Sequence, residues 1–254
     1  MHSYYLHLVK GARLVARVVN SPRKAHYWAK LPLEKVQFIN WGLAHARVCK
    51  GEKLATSDAT AACSPAVPSE EQARAGVYTL LGALLGAPCT KDVRNFLATI
   101  DARDTTLPWQ QLQAEITSAD LQALAHEYNA LFIGLGRGEL LPYGSVYLSG
   151  FLQEKPLADL RQDLARLGLE TTEETHEPED HAGALCEVMG LMASAPTDYS
   201  HETQKTFFAQ HLGSWMTEFF EDLVKARDSG FYRVVGEFGK TFIALEKQYF
   251  AMEV

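Results

Sequence analysis

From residue 69 onward, apolar side chains recur at three- and four-residue intervals. Val77, Leu80, Leu81, Leu84 and Leu85 share one face, Leu121, Leu124, Tyr128, Leu131 and Phe132 a second, and Leu157, Leu160, Leu164 and Leu167 a third. Leu185, Cys186, Met189 and Met192 make a fourth; Phe207, Phe208, His211, Leu212, Trp215, Phe219 and Leu223 a fifth; Val234, Phe238, Phe242, Leu245 and Tyr249 the last. This spacing marks amphipathic helices, each turning one stripe toward a shared core. No convincing alternating strand interrupts it. Breaks at Pro88, residues 134–142, Gly168 and Pro196 divide the pattern into about seven to nine helices, a compact all-α bundle.

Residues 1–68 follow other rules. The stretch "KLATSDATAACSPAVPSEEQ" (53–72) is small, polar and carries prolines, which is linker composition, and it places a boundary near Pro68. Ser69 with Gln72 three positions on forms a capping-box pattern, so a helix is expected to begin near Glu70. Upstream, "KGARLVARVV" and "LPLEKVQFINWGLAHARVC" read as basic amphipathic segments with little that demands packing on the bundle. They are expected either to form a loosely ordered N-terminal appendage or to lie upstream of the natural start, leaving 69–254 as the helical domain.

Charge sharpens that division. Residues 1–68 hold ten of the 24 Lys and Arg but three of the 31 Asp and Glu, which leaves fourteen basic and twenty-eight acidic residues beyond them. A domain with a net charge of −14 repels nucleic acid and favours a cationic partner such as a basic peptide. The 47% hydrophobic content suffices for a buried core. Cys49, Cys63, Cys89 and Cys186 show no CxxC pair, so neither a zinc site nor a disulfide framework is expected, and a reducing cytoplasm fits best. No run approaches the roughly 18 to 20 apolar residues that a membrane helix needs, and stable membrane insertion is not expected. The N-terminus "MHSYYLHLVKGARLVARVVN" lacks the apolar centre and small-residue cleavage site of a secretory signal.

Several stretches invite chemistry and then fall short of it. "GLGRGELLPYG" (134–144) is glycine-rich, but it lacks the Gly-Lys-Ser/Thr of a phosphate loop and no strand precedes it; it reads as a flexible helix connection. His176, Asp180 and His181 offer imidazole and carboxylate for a metal, yet no second ligand pair accompanies them. Ser145 follows a glycine without the strand-turn-helix frame of a nucleophile elbow. "EPEDH" (177–181) reads as a helix start: Pro178 suits the first turn, and Glu179 and Asp180 complement the positive end of the helix dipole. That account leaves His181 without a role.

Taken in order, "EYNALFIG" (127–134), "PYGSVYL" (142–148), "EPEDH" (177–181), "QHLGSW" (210–215) and "FYRVVGE" (231–237) resemble the TorD/DmsD family of redox-enzyme maturation chaperones. The resemblance runs from about Glu70 to Tyr249. It implies an all-helical, cytoplasmic, non-enzymatic protein without a cofactor of its own. Such a protein binds the twin-arginine signal peptide or the apo-form of a molybdenum reductase and holds it while the cofactor is inserted, before export. Molybdenum-cofactor biosynthesis proteins and GTP are further partners that the resemblance brings in; a weak nucleotide hydrolase and a general helical interaction module are the alternatives.

Position by position, Pro142 and Tyr143 match the family's Pro-aromatic pair, with Ser145 and Tyr147 in the same loop motif. Asp180 and His181 match its Asp-His pair, and both pairs are implicated in signal-peptide recognition or the hinge beside it. Leu131 and Phe132 match the "LF" before the loop, where core packing and client contact are equally open roles. His211 and Trp215 are expected to hold the last helices together. Gly144 stands where many members have Glu, and nothing in the family corresponds to residues 1–68.

If the division near Pro68 is correct, a chain starting at Ser69 folds, with thermal unfolding and peptide binding close to those of the full chain. Aggregation or a much earlier melting transition of that chain, followed by circular dichroism, would put the first 68 residues in the core.

Overall fold

The structure, a computed structural model, describes residues 70–100, 107–134, 138–169 and 177–252. The basic segments, Ser69, Cys49, Cys63 and His176 lie outside them. The described residues form ten α-helices, more than expected from the pattern: α1 Glu70–Gly86, α2 Lys91–Thr99, α3 Trp109–Ser118, α4 Leu121–Tyr128, α5 Gly144–Ser149, α6 Lys155–Leu167, α7 Ala182–Ser194, α8 His201–His211, α9 Met216–Lys225 and α10 Phe231–Ala251. A π-turn, Asn129–Ile133, continues α4. No helix among the described residues is long and apolar enough to cross a membrane.

Local chemistry explains most boundaries. Thr90, Asp120 and Ser200 accept main-chain N–H bonds at the starts of α2, α4 and α8. Pro156 sits in the first turn of α6, and Gly168 ends that helix at φ 71°. Two expectations shift. The stripe 207–223 is two helices, because the chain breaks between His211 and Met216. In α10 the fully buried stripe is Phe231, Tyr232, Val235, Phe238, Phe242, Ile243, Glu246 and Phe250; Val234, Leu245 and Tyr249 lie on its flank, half-buried.

α1 lies along α7, and α9 along α10, with α10 also against α3 and α4. The first pair approaches closely because glycines meet glycines: a Cβ on Gly183 would stand 2.9 Å from Gly86 N and 3.2 Å from Gly82 O. At the second, the Phe220 ring occupies the space that a side chain on Gly239 would need.

One polar network crosses the apolar core. Arg74 donates to both Glu246 oxygens, Nε to Oε1 and Nη2 to Oε2, each at 2.7 Å. Tyr78 Oη adds a bond to Oε2 at 2.8 Å, and Arg74 Nη1 reaches Gln204 Oε1 at 3.2 Å. The guanidinium also lies 4.0 Å from the centre of the Tyr249 ring. Burial works against its charge, but the hydrogen bond and charge of Glu246 outweigh burial and hold its pKa above the ordinary value. The network ties α1 to α8 and α10.

Because a buried charge without its partner is costly, Glu246→Leu is expected to lose about 3 to 5 kcal/mol in urea unfolding. Combining it with Arg74→Met should recover most of that loss. Equal stability of the single and double variants would show that the pair carries no mutual dependence.

Candidate functional site

Two loops meet where α7 begins. Residues 138–143 lead into α5, and residues 177–181 lead into α7. Gly144 N donates to Asp180 O at 2.9 Å and Ala182 N to Pro142 O at 2.8 Å. Tyr143 and His181 thereby face each other as an isolated antiparallel bridge, their rings edge to face at 5.3 Å.

Asp180 is 2% exposed and sits at the centre of this junction. Its Oδ2 accepts the Ser145 N–H at 2.7 Å, so the carboxylate anchors the start of α5, thirty-five residues away in sequence, and not the start of its own helix. Its Oδ1 is buried and has no hydrogen-bond partner among the described residues. Around it, Tyr143 Oη donates to Glu177 Oε1 at 2.7 Å. Burial first, then that bond and the Glu177 and Asp180 charges, push the Tyr143 phenol well above its usual pKa and keep it a neutral donor. Arg161 pairs with Glu179 at 2.9 Å on the outer side.

The helix-start account of "EPEDH" is therefore corrected. α7 begins at Ala182, and Pro178, Glu179 and Asp180 precede its cap instead of forming its first turn. His181 is the N-cap: its Nδ1 accepts the Gly183 N–H at 3.1 Å, and that nitrogen carries no proton. The residue that local rules left without a role holds the helix end.

The other sequence-derived candidates separate into groups. Pro142, Tyr143, Ser145, Asp180 and His181 converge at the junction. Leu131 and Phe132 do not: both are buried, and the Phe132 ring packs against Tyr128 and Tyr232. Tyr147 lies on the other side of α5, stacked on Trp215 at 5.3 Å with its hydroxyl bonded to Asp222 Oδ2 at 3.2 Å. Trp215 Nε1 donates to His211 O at 2.7 Å, and His211 Nε2 meets Asp163 Oδ2 at 2.9 Å. His211 and Trp215 thus join α5 and α6 to the α8–α9 corner, not only the last helices to one another. Gly144 lies close against that indole, where a Cβ would stand 3.1 Å from Nε1. A Glu there would need the tryptophan to move.

Two carboxylates escaped sequence reasoning. Glu127 accepts three main-chain N–H bonds, from Gly230, Phe231 and Tyr232, and so caps α10 from α4. Glu139 accepts Arg227 N at 3.0 Å and Asp228 N at 3.4 Å. The first of these bonds leads the effects that hold its carboxyl below the ordinary pKa. With Leu140 N bonded to Leu131 O at 2.8 Å, the described part of the 134–144 connection is tied down at several points, contrary to a flexible link. Nothing local marks a carboxylate that caps a helix 104 residues away; the only signal was that Glu127 and Phe231 open two of the recurring motifs.

Fold and junction together define an all-helical scaffold with two loops joined at its α7 start. The family model described as "Nitrate reductase delta subunit" matches residues 99–221. The chain is 28% identical over 207 residues to the chaperone protein TorD of Aliivibrio fischeri, covering 71% of this chain and 95% of that one. It is 26% identical over 205 residues to the TorD of Vibrio atlanticus, with the same two coverages of 71% and 95%. A crystal structure of a candidate redox enzyme maturation protein from Archaeoglobus fulgidus aligns at 18% identity with a TM-score of 0.49, over 76% of this chain and 99% of that one. The chain is thus similar to TorD chaperones over about seven tenths of its length.

As an N-cap, His181 is replaceable by a residue with a comparable acceptor. His181→Ala is expected to cost about 1 kcal/mol in thermal or urea unfolding, and His181→Asn only a fraction of that. Equal losses would mean that ring packing against Tyr143, and not the cap, is what His181 supplies.

Proposed function

We propose that this chain is a cytoplasmic chaperone that binds the twin-arginine signal peptide, or the apo-form, of a molybdenum-cofactor reductase and retains it until cofactor insertion. The observation that carries the proposal is the second oxygen of Asp180. A buried carboxylate oxygen without a donor costs about 1 to 3 kcal/mol, and a ligand that supplies the donor recovers it. An arginine is the natural ligand, since its planar fork presents charged N–H groups to a carboxylate in fixed geometry.

Access requires the junction to part. The segments on either side of the Tyr143–His181 bridge are held by main-chain bonds from Gly144 and Ala182, by the Ser145–Asp180 and Tyr143–Glu177 bonds and by one ring contact, a local set that can open without unfolding of the bundle. The acidic balance of residues 69–254 draws a basic segment toward the junction from a distance. Apolar residues of the peptide supply burial that salt does not screen.

Calorimetry with a synthetic peptide of two adjacent arginines and an apolar run tests this. Asn at 180 still offers an oxygen to Ser145 N but no charge, so Asp180→Asn should weaken binding about tenfold or more, equivalent to 1.5 to 3 kcal/mol, with little change in melting. Parent affinity should also fall as salt is raised toward 1 M, where the Debye length is about 3 Å. Unchanged binding by the Asn variant removes Asp180 from recognition, and a flat salt series removes electrostatics.

A further inference from the structure

α6 carries three cations, and two of them pair within the helix: Lys155 with Asp159 and Arg166 with Asp163. Arg161 has Leu157, Ala158, Leu164 and Ala165 at the positions three and four residues away, so no carboxylate of its own helix is in reach. It turns to the junction instead. Its Nε and Nη2 both meet Glu179 Oε2, at 3.0 and 2.9 Å, across eighteen residues of sequence. That bond first, then the charges of Glu179 and Asp180, outweigh partial burial and hold the guanidinium above its ordinary pKa. Asp180 thus lies in the field of an arginine of its own chain, while its Oδ1 stays without a hydrogen-bond partner among the described residues.

α5 packs against α6, so the Arg161–Glu179 pair is one more tie between that helix pair and the residues leading into α7. It differs from the other ties in exposure. The Ser145–Asp180 bond is buried and the Tyr143–Glu177 bond is half-buried, whereas the Arg161 side chain is 57% exposed. An exposed ion pair is weak and is the tie that an entering ligand meets first.

We propose that Arg161 is the internal competitor of the ligand at this junction: paired with Glu179 it latches the junction shut, and an arriving arginine displaces it. The occupant of the latch is settled by the observed pair, and the competition follows from charge. Two guanidinium groups beside the same adjacent carboxylates repel each other, so binding is an exchange of one arginine for another, and the affinity reports the difference between them. The proposal rests on the arginine-binding function above and adds the residue that regulates that site.

The test uses the full chain, hydrogen exchange at Gly144, Ser145 and Ala182, whose N–H groups bond across the junction, and the synthetic two-arginine peptide. In the free protein, Arg161→Gln should speed exchange at all three by about two- to fivefold, the range that an exposed ion pair supports, with melting little changed. The same variant should bind the peptide more tightly by a similar factor. Glu179→Gln should also speed exchange, and the double variant should exchange no faster than either single one, because the two side chains act as one contact. Unchanged exchange in Arg161→Gln overturns the latch, and unchanged or weaker peptide binding by that variant overturns the competition; in both cases the function stands if Asp180→Asn still loses affinity. Failure of the parent to bind the peptide overturns the function and the competition with it, while faster exchange in Arg161→Gln would still uphold the latch.

Discussion

A carboxylate removed from water must find donors, and the bundle is arranged around three such groups. Glu246 takes a two-pronged bond from Arg74 and a third from Tyr78, closing the core between α1 and α10. Glu127, half-buried, takes three main-chain N–H groups and fixes the start of α10. Asp180 takes only one, through Oδ2. The two saturated groups serve architecture, and the half-satisfied one leaves a buried oxygen without a donor.

That difference is legible because the remaining structure is closely packed. Glycines at the α1–α7 crossing let two backbones nearly touch, and α7 is thereby held firmly at its start. His181 caps that start and faces Tyr143 across the bridge. The junction is thus a soft contact mounted on a rigid frame: a few hydrogen bonds between loops, set against helices that cannot shift without clashing. The binding proposed for Asp180 requires that combination, because the junction has to part to admit a ligand.

The same junction reaches beyond itself. Asp180 holds Ser145, and Ser145 holds the turn carrying Phe151, so the carboxylate junction and the exposed turn share one hydrogen-bonded connection. On the far side of α5, Tyr147 lies on Trp215, and Trp215 is bonded to the end of α8. α5 has only six residues, yet it joins the carboxylate junction, the exposed turn and the α8–α9 corner.

The sequence by itself determined the class of fold and most of the core, because a helical stripe is a local property: position n and position n+4 meet whatever the rest of the chain does. It also assembled Pro142, Tyr143, Asp180 and His181 as candidates, through recurring motifs and not through geometry. It misplaced the stripe of α10 by one position, since which edge of a broad apolar face is buried depends on the neighbours. It misread "EPEDH" for a related reason. Pro, Glu and Asp in a row satisfy every local rule for a helix start, but the Asp180 oxygen is taken by an N–H thirty-five residues away, and the cap falls to His181. Glu127, Glu139 and the Arg74–Glu246 pair were beyond local reach altogether. Hydrogen bonds between distant segments leave no periodicity in the chain; only tertiary structure decides which buried polar groups find partners and which, like Asp180 Oδ1, remain without one.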